Sequence, residues 1–166
     1  VVVVLCWHGF YPTRGEMVKL ADRYNRWLDR RRQEDWISIG LLLLRVTVGS
    51  MMVYGHGWGK LINYGVKSTT FPDPLGVGSA VSLALAVFAE FFCAVAVTVG
   101  VATRYAAIPL VTTMAVAVFV IHGNDPWGRQ EFALLYLLPF LTLVLTGAGR
   151  YSLDSLIHRN KKSKNT

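Results

Sequence analysis

From residue 37 onward the chain alternates long apolar runs with short polar breaks, and the runs are too long and continuous for strands. Four stretches stand out, roughly Ile37 to Trp58, Ser79 to Val101, Tyr105 to His122 and Glu131 to Thr146. A hydrocarbon core near 30 Å takes about 20 helical residues, so the first two fit comfortably and the last two only just. The fourth is expected to gain a turn upstream: in "HGNDPWGRQEF", Asp125 can cap a helix whose first residue is Pro126, where proline lacks only a donor that would be unpaired anyway. Only helices or closed barrels satisfy every backbone polar group in lipid. The pattern therefore predicts an all-α membrane protein, a bundle of four transmembrane helices, with Pro109 and Pro139 inside the third and fourth as candidate kinks.

A different pattern precedes the first span. In residues 15–33, Met17, Leu20, Tyr24, Trp27 and Leu28 recur at spacings of three and four with charges opposite. This predicts an N-terminal amphipathic helix on the cytoplasmic membrane surface, or against a partner subunit. The expected organisation is an interfacial segment over 1–36, a transmembrane domain over 37–149 and a basic cytoplasmic tail over 150–166, whose end, "HRNKKSKNT", is expected to be disordered. Loop 63–78, broken by Pro72 and Pro74, is expected to fold over the bundle mouth as a short lid or re-entrant turn.

The 166 residues are 53% hydrophobic with a net charge of +7, and the position of that charge matters more than its size. Arg14, Lys19, Arg23, Arg26, Arg30, Arg31 and Arg32 precede the first span; Arg150, Arg159, Lys161, Lys162 and Lys164 follow the last; the two intervening outer loops carry only Lys67 and Arg129. The positive-inside rule then places both termini, and the Arg104 turn, on the cytoplasmic side of a bacterial inner membrane. The basicity is read as topology and attraction to anionic lipid, with no nucleic-acid partner and no motif for one. Cys6 and Cys93 are far apart, which disfavours a zinc site or dithiol motif, and Cys93 reads as a packing residue. "VVVVLC" is too short for a cleavable signal peptide; a start on valine leaves open whether the native N-terminus is present.

Charges inside the spans need partners. An arginine at the centre of a span costs about 2.5–3.5 kcal/mol on insertion scales. Arg45 stands in the first span and Glu90 in the second, where Ala86, Cys93, Ala94 and Val97 give it a small-residue face. Antiparallel packing is expected to bring the two to similar depth as a buried Arg45–Glu90 pair, either fixing helix register or serving a ligand or proton path. Arg45, Gly49, Met52, His56 and Gly59 or Lys60 form one interior stripe, and "GHGWGK" surrounds His56 with glycines, as where a backbone or ligand comes close. At the outer side His56, Lys60, His122 and Glu131 share a depth. A histidine and a carboxylate beside Tyr54, Trp58 or Trp127 suit a quinone headgroup; His56, His122 and Glu131 as metal ligands is a weaker alternative, because they come from three segments without ligand spacing. Plain interfacial anchoring accounts for the same residues.

Three segments, "LLLLRVTVGSMMVYGHGWGKL", "AEFFCAVAVTVGVATRYAA" and "GAGRYSLDSLI", resemble the DoxX family of small bacterial four-helix membrane proteins over about residues 38–157. The resemblance rests on Arg45, Gly49, Gly57, Lys60 and Leu61, then Glu90, Gly100, Thr103 and Arg104, then Gly147, Gly149, Arg150, Ser152, Leu153 and Asp154, the last group being the most specific. The head before residue 38 is outside it. The resemblance implies membrane redox association: founding relatives are subunits of an archaeal thiosulfate:quinone oxidoreductase, and others belong to oxidative-stress complexes. The cysteine pair of redox-active relatives in the wider superfamily is missing here, which argues against thiol–disulfide exchange.

The expected function is an accessory subunit of a quinone-linked or respiratory membrane complex, with quinone as the candidate cofactor and other membrane subunits or a second copy as partners. A purely structural assembly subunit is the alternative. A small-solute carrier comes third, since four spans leave little room for alternating access.

Overall fold

A computed structural model describes residues 14–157; the expectations placed on residues 1–13 and on the 158–166 tail lie outside the described residues. The described chain is helical, without strands, and has four helices long and apolar enough to cross a membrane. We label them α1 (Arg14–Ile62), α3 (Ser79–Val99), α4 (Thr103–Ile121) and α5 (Trp127–Thr146), with a short α2 (Tyr64–Lys67) in the first loop. The fourth helix gains its extra turn as expected, but Asp125 does not cap it through backbone amides. Pro126 has an extended ψ of 146° and is itself the N-cap, so the Asp125 carboxylate takes the His122 ring and the Arg129 guanidinium instead.

The described residues divide between Ile37 and Ser38 into two compact units. In the first, the described residues are helical throughout, with Met17, Leu20, Tyr24, Trp27 and Leu28 all exposed. Tyr24 stacks on Trp27 with centroids 6.1 Å apart, and the Arg31 guanidinium lies 4.6 Å from the Trp27 ring.

In the second unit the core is built from Met52, Ala94, Val97, Ala107, Leu110, Phe140 and Leu143, each with no measurable exposure. The register of α1 on α3 is set by two glycines. A methyl group at Gly57 would meet the Glu90 carbonyl and lie 2.9 Å from the Phe91 Cα; one at Gly49 would meet the Thr98 hydroxyl and lie 3.2 Å from the Ala94 carbonyl oxygen. Gly57 meets only backbone, so the helices could accept a side chain there only by separating, whereas Gly49 meets the Thr98 side chain first and the Ala94 carbonyl behind it. The neighbouring Gly55 and Gly59 have nothing within 4 Å and set no approach.

At the end of the bundle where α3 turns into α4, the C-terminal segment packs back. Gly100 is left-handed (φ +83°), and a Cβ there would collide with the Arg45 guanidinium. Arg45, only 3% exposed, donates to the Tyr151 carbonyl. The Asp154 amide donates to the Gly100 carbonyl at 3.0 Å. The Asp154 carboxylate accepts from the amides of Ala102 (2.8 Å) and Thr103 (3.2 Å), capping α4. Residues 150–157 are thus part of the folded bundle end, where the sequence suggested a tail beginning at 150.

At the opposite end, loop 63–78 is held by one carboxylate. Asp73 accepts from the Ser82 hydroxyl (2.7 Å) and from the amides of Gly78 (2.7 Å) and Val77 (3.0 Å). The Ser82 bond, followed by the Gly78 amide, holds its carboxyl below the ordinary aspartate value of 3.8 against an opposing effect of desolvation.

Two outcomes follow from this packing. Gly57→Ala should destabilise the bundle by about 1–3 kcal/mol through overpacking, read as a lower Tm in detergent, whereas Gly55→Ala should be close to neutral; equal effects would contradict the assigned approach. Because the Asp73 pKa is depressed on folding, its contribution is present above the unfolded-state value and is lost as pH falls through the lower folded value. Hydrogen exchange at the Val77 and Gly78 amides should stay slow through pH 5 and accelerate only below the ordinary aspartate range, whereas Asp73→Ala should make it fast at every pH.

Candidate functional site

Helical hydrogen bonding widens to i→i+5 at three places: Val53–Gly57 in α1, Phe88–Cys93 in α3 and Ala117–Ile121 in α4. Such wide turns shift side chains around the helix axis and are frequent at functional sites. Here the first contains His56, the second contains Glu90, and the third ends just before His122. All three residues line one cavity of about 580 Å³ inside the loop end of the bundle.

The cavity wall is mostly apolar and aromatic, from Phe71, Phe88, Ile108, Phe132 and Tyr136, with His56, Lys60, Glu90, His122 and Arg129 as its ionisable members. Phe71, Pro72, Pro74 and Leu75 of the Asp73-latched loop belong to the lining, consistent with the expected lid. Glu90, at 3% exposure, forms an ion pair with Lys60. His56 packs edge-on against Tyr136, with centroids 5.2 Å apart, and 6.2 Å from Phe132; its Nδ1 is buried without a hydrogen-bond partner. At the rim His122 Nδ1 lies 2.8 Å from Asp125 Oδ2, and Arg129 Nη1 lies 3.3 Å from the same oxygen. The His122 ring, and after it Arg129, hold the Asp125 carboxyl below its ordinary value.

The expected Arg45–Glu90 pair is not formed. Gly57 sits against Glu90, and Arg45 is twelve residues earlier on α1, a displacement of roughly 18 Å along the axis. The sequence estimate matched the two by span centres, but α1 continues past Trp58 to Ile62, and the glycine contacts slide its register. Lys60 therefore meets the carboxylate, and Arg45 reaches the Gly100–Tyr151 end. Both charges are buried as predicted, with different partners.

Of the other sequence candidates, His56, Lys60 and His122 do line the cavity; Glu131, Tyr54 and Trp58 do not. Glu131 is exposed on α5, Tyr54 is 79% exposed, and Trp58, 49% exposed, faces outward against Phe91. With Glu131 turned away, the weaker metal alternative loses its carboxylate, and among the described residues no three potential ligands cluster. Sequence reasoning missed Tyr136, Phe132 and the Asp125–Arg129 pair. The last was readable as an i,i+4 couple; Phe132 and Tyr136 share a helical face, but nothing local marks that face as lining a cavity.

The DoxX family model matches residues 40–123, from mid-α1 through α4. The chain is 33% identical over 130 residues to "Putative oxidoreductase CatD" of Bacillus subtilis, covering 77% of this chain and 94% of that protein. It is 27% identical over 126 residues to "Inner membrane protein YqjF" of Escherichia coli, covering 74% and 95%. An uncharacterized protein of Haemophilus influenzae is 34% identical over 122 residues, 69% of this chain and 88% of its own. No solved structure matches. With four membrane-crossing helices and a family match over half its length, the chain belongs to the DoxX family of integral membrane proteins.

Proposed function

We propose that this protein is an accessory subunit of a membrane redox complex and that its cavity receives the ring of a quinone-class carrier. The observation carrying this reading is the cavity: an aromatic and aliphatic enclosure of about 580 Å³, within the size range that surrounds a small cyclic ligand, with His56, Lys60 and Glu90 grouped on its wall. Lys60 and a protonated His56 nitrogen can donate to ring carbonyls, and the Glu90 carboxylate can accept from the hydroxyl of a reduced ring. The unsatisfied His56 Nδ1 supplies hydrogen-bonding capacity that the protein itself does not use. A relative named as an oxidoreductase agrees with this reading. The excess of Arg and Lys in the part of α1 before its apolar stretch and after α5 favours both termini in the cytoplasm, and the Escherichia coli relative, named as an inner membrane protein, favours that membrane.

A second reading, an assembly subunit without a redox role, draws on the separate helical unit before residue 38. Its exposed Met17, Leu20, Tyr24 and Trp27 offer an apolar face to another subunit or the lipid surface.

Titration of a water-soluble quinol analogue into the purified protein in lipid nanodiscs should give saturable binding. His56→Ala and Glu90→Gln should each weaken it by about tenfold or more, the effect of losing one buried polar contact. Absence of saturable binding, or binding indifferent to both changes, would overturn the redox reading. A head-deleted variant that binds the analogue normally but loses its co-purifying proteins would assign docking to the first helix.

A further inference from the structure

The cavity has four side seams and a roof, and they are not equally closed. Between α1 and α3 the backbones touch at Gly49 and Gly57. The helices α4 and α5 pack along their length. Between α1 and α5 the backbones do not approach closely and Phe132 is 54% exposed, but the rings of His56, Phe132 and Tyr136 bridge the gap, with Phe132 and Tyr136 5.6 Å apart. The roof is the Phe71–Leu75 stretch latched through Asp73.

The seam between α3 and α4 differs in that, among the described residues, no ring pair bridges it. The Phe88–Cys93 turn of α3 packs on α4, but the Ser79–Val87 half makes almost no backbone contact with it. Leu85 and Phe88 on α3 and Ile108 on α4 belong to the cavity wall, yet they are 52%, 53% and 49% exposed. Thr112, one turn on from Ile108, is also both lining and exposed. A residue that lines a cavity and is half exposed borders an opening. These residues lie within membrane-crossing segments, so the opening faces acyl chains rather than water.

We propose that the site takes a lipid-soluble carrier with a long apolar tail, whose ring sits inside while the tail leaves between α3 and α4 past Leu85, Phe88, Ile108 and Thr112. This deepens the quinone reading and rests on it. A cavity of about 580 Å³ holds a ring with short substituents and has no volume for a polyprenyl chain. The tail meets side chains as apolar as the lipid it leaves, so the seam contributes fit rather than a hydrophobic driving force. The consequence is a steric one: the seam is required by tailed ligands and irrelevant to tail-less ones.

The experiment uses the full chain in lipid nanodiscs and two probes sharing one benzoquinone ring, one with a single isoprene unit and one with eight, each measured as bilayer mole fraction at half-saturation. The double variant Leu85→Trp/Ile108→Trp plugs the seam; Val95→Trp, on an exposed position of α3 outside the cavity lining, controls for a bulky ring in lipid. Wild type and the control should bind both probes. The plugged variant should bind the long probe about tenfold more weakly or worse, beyond the 1.4 kcal/mol equivalent of that factor, and keep the short probe within about twofold. Should wild type bind only the short probe, or the plug affect both alike or neither, the tail route is wrong while the ring site stands. Should neither probe bind wild type, the quinone reading fails and the tail route with it.

Discussion

The close approach of α1 to α3 is the constraint on which the rest of the molecule depends. Two glycines eight residues apart, Gly49 and Gly57, let the helix backbones meet, and in lipid such contact is a main source of helix association because no hydrophobic force favours one apolar neighbour over another. Once that contact is fixed, the depth of every other residue of α1 from Ser38 onward follows. Lys60 comes level with Glu90, and Arg45 with the αL turn at Gly100.

Each buried charge then finds a different solution. Glu90 and Lys60 neutralise each other at the cavity wall, with Glu90 almost fully enclosed and Lys60 partly so. Removing one member of such a pair leaves an uncompensated charge and costs about 3–5 kcal/mol in buried settings. Arg45 at the other end donates through Nη2 to the Tyr151 carbonyl and lies near the negative Asp154, while its Nε and Nη1 are buried without a hydrogen-bond partner. The C-terminal glycine-arginine-tyrosine-serine-leucine-aspartate segment thus serves the first helix and the start of α4 together. Asp154 also supplies the α4 amides with acceptors they would otherwise lack in a membrane setting. One end of the bundle is therefore tied by charge and capping, which leaves the wide turns at the other end free to open a cavity.

The sequence made the architecture legible because span length and periodicity are local properties: four apolar runs, an upstream turn on the fourth and a stripe through Arg45, Gly49, Met52 and His56 all reappear in the structure. Partner choice was less legible. It depends on the axial offset between helices, and an offset of roughly 18 Å from the expected level gave Glu90 to Lys60 in place of Arg45. Tyr54 and Trp58 group with His56 as nearby aromatics, but each is two positions from it, roughly 200° around the helix, so they face away from the stripe that carries His56. Glu131 was grouped by depth alone, and depth does not determine which side of a helix a residue occupies.

A double-mutant cycle on charge pairing tests the central claim most directly. Stability of the purified protein would be measured for Lys60→Met, Glu90→Gln and Arg45→Met, alone and in the two combinations with Glu90→Gln. The glycine-set register predicts a coupling of about 1–3 kcal/mol between Lys60 and Glu90 and additivity within about 0.5 kcal/mol between Arg45 and Glu90. Strong coupling of Arg45 to Glu90, with Lys60 and Glu90 additive, would contradict it.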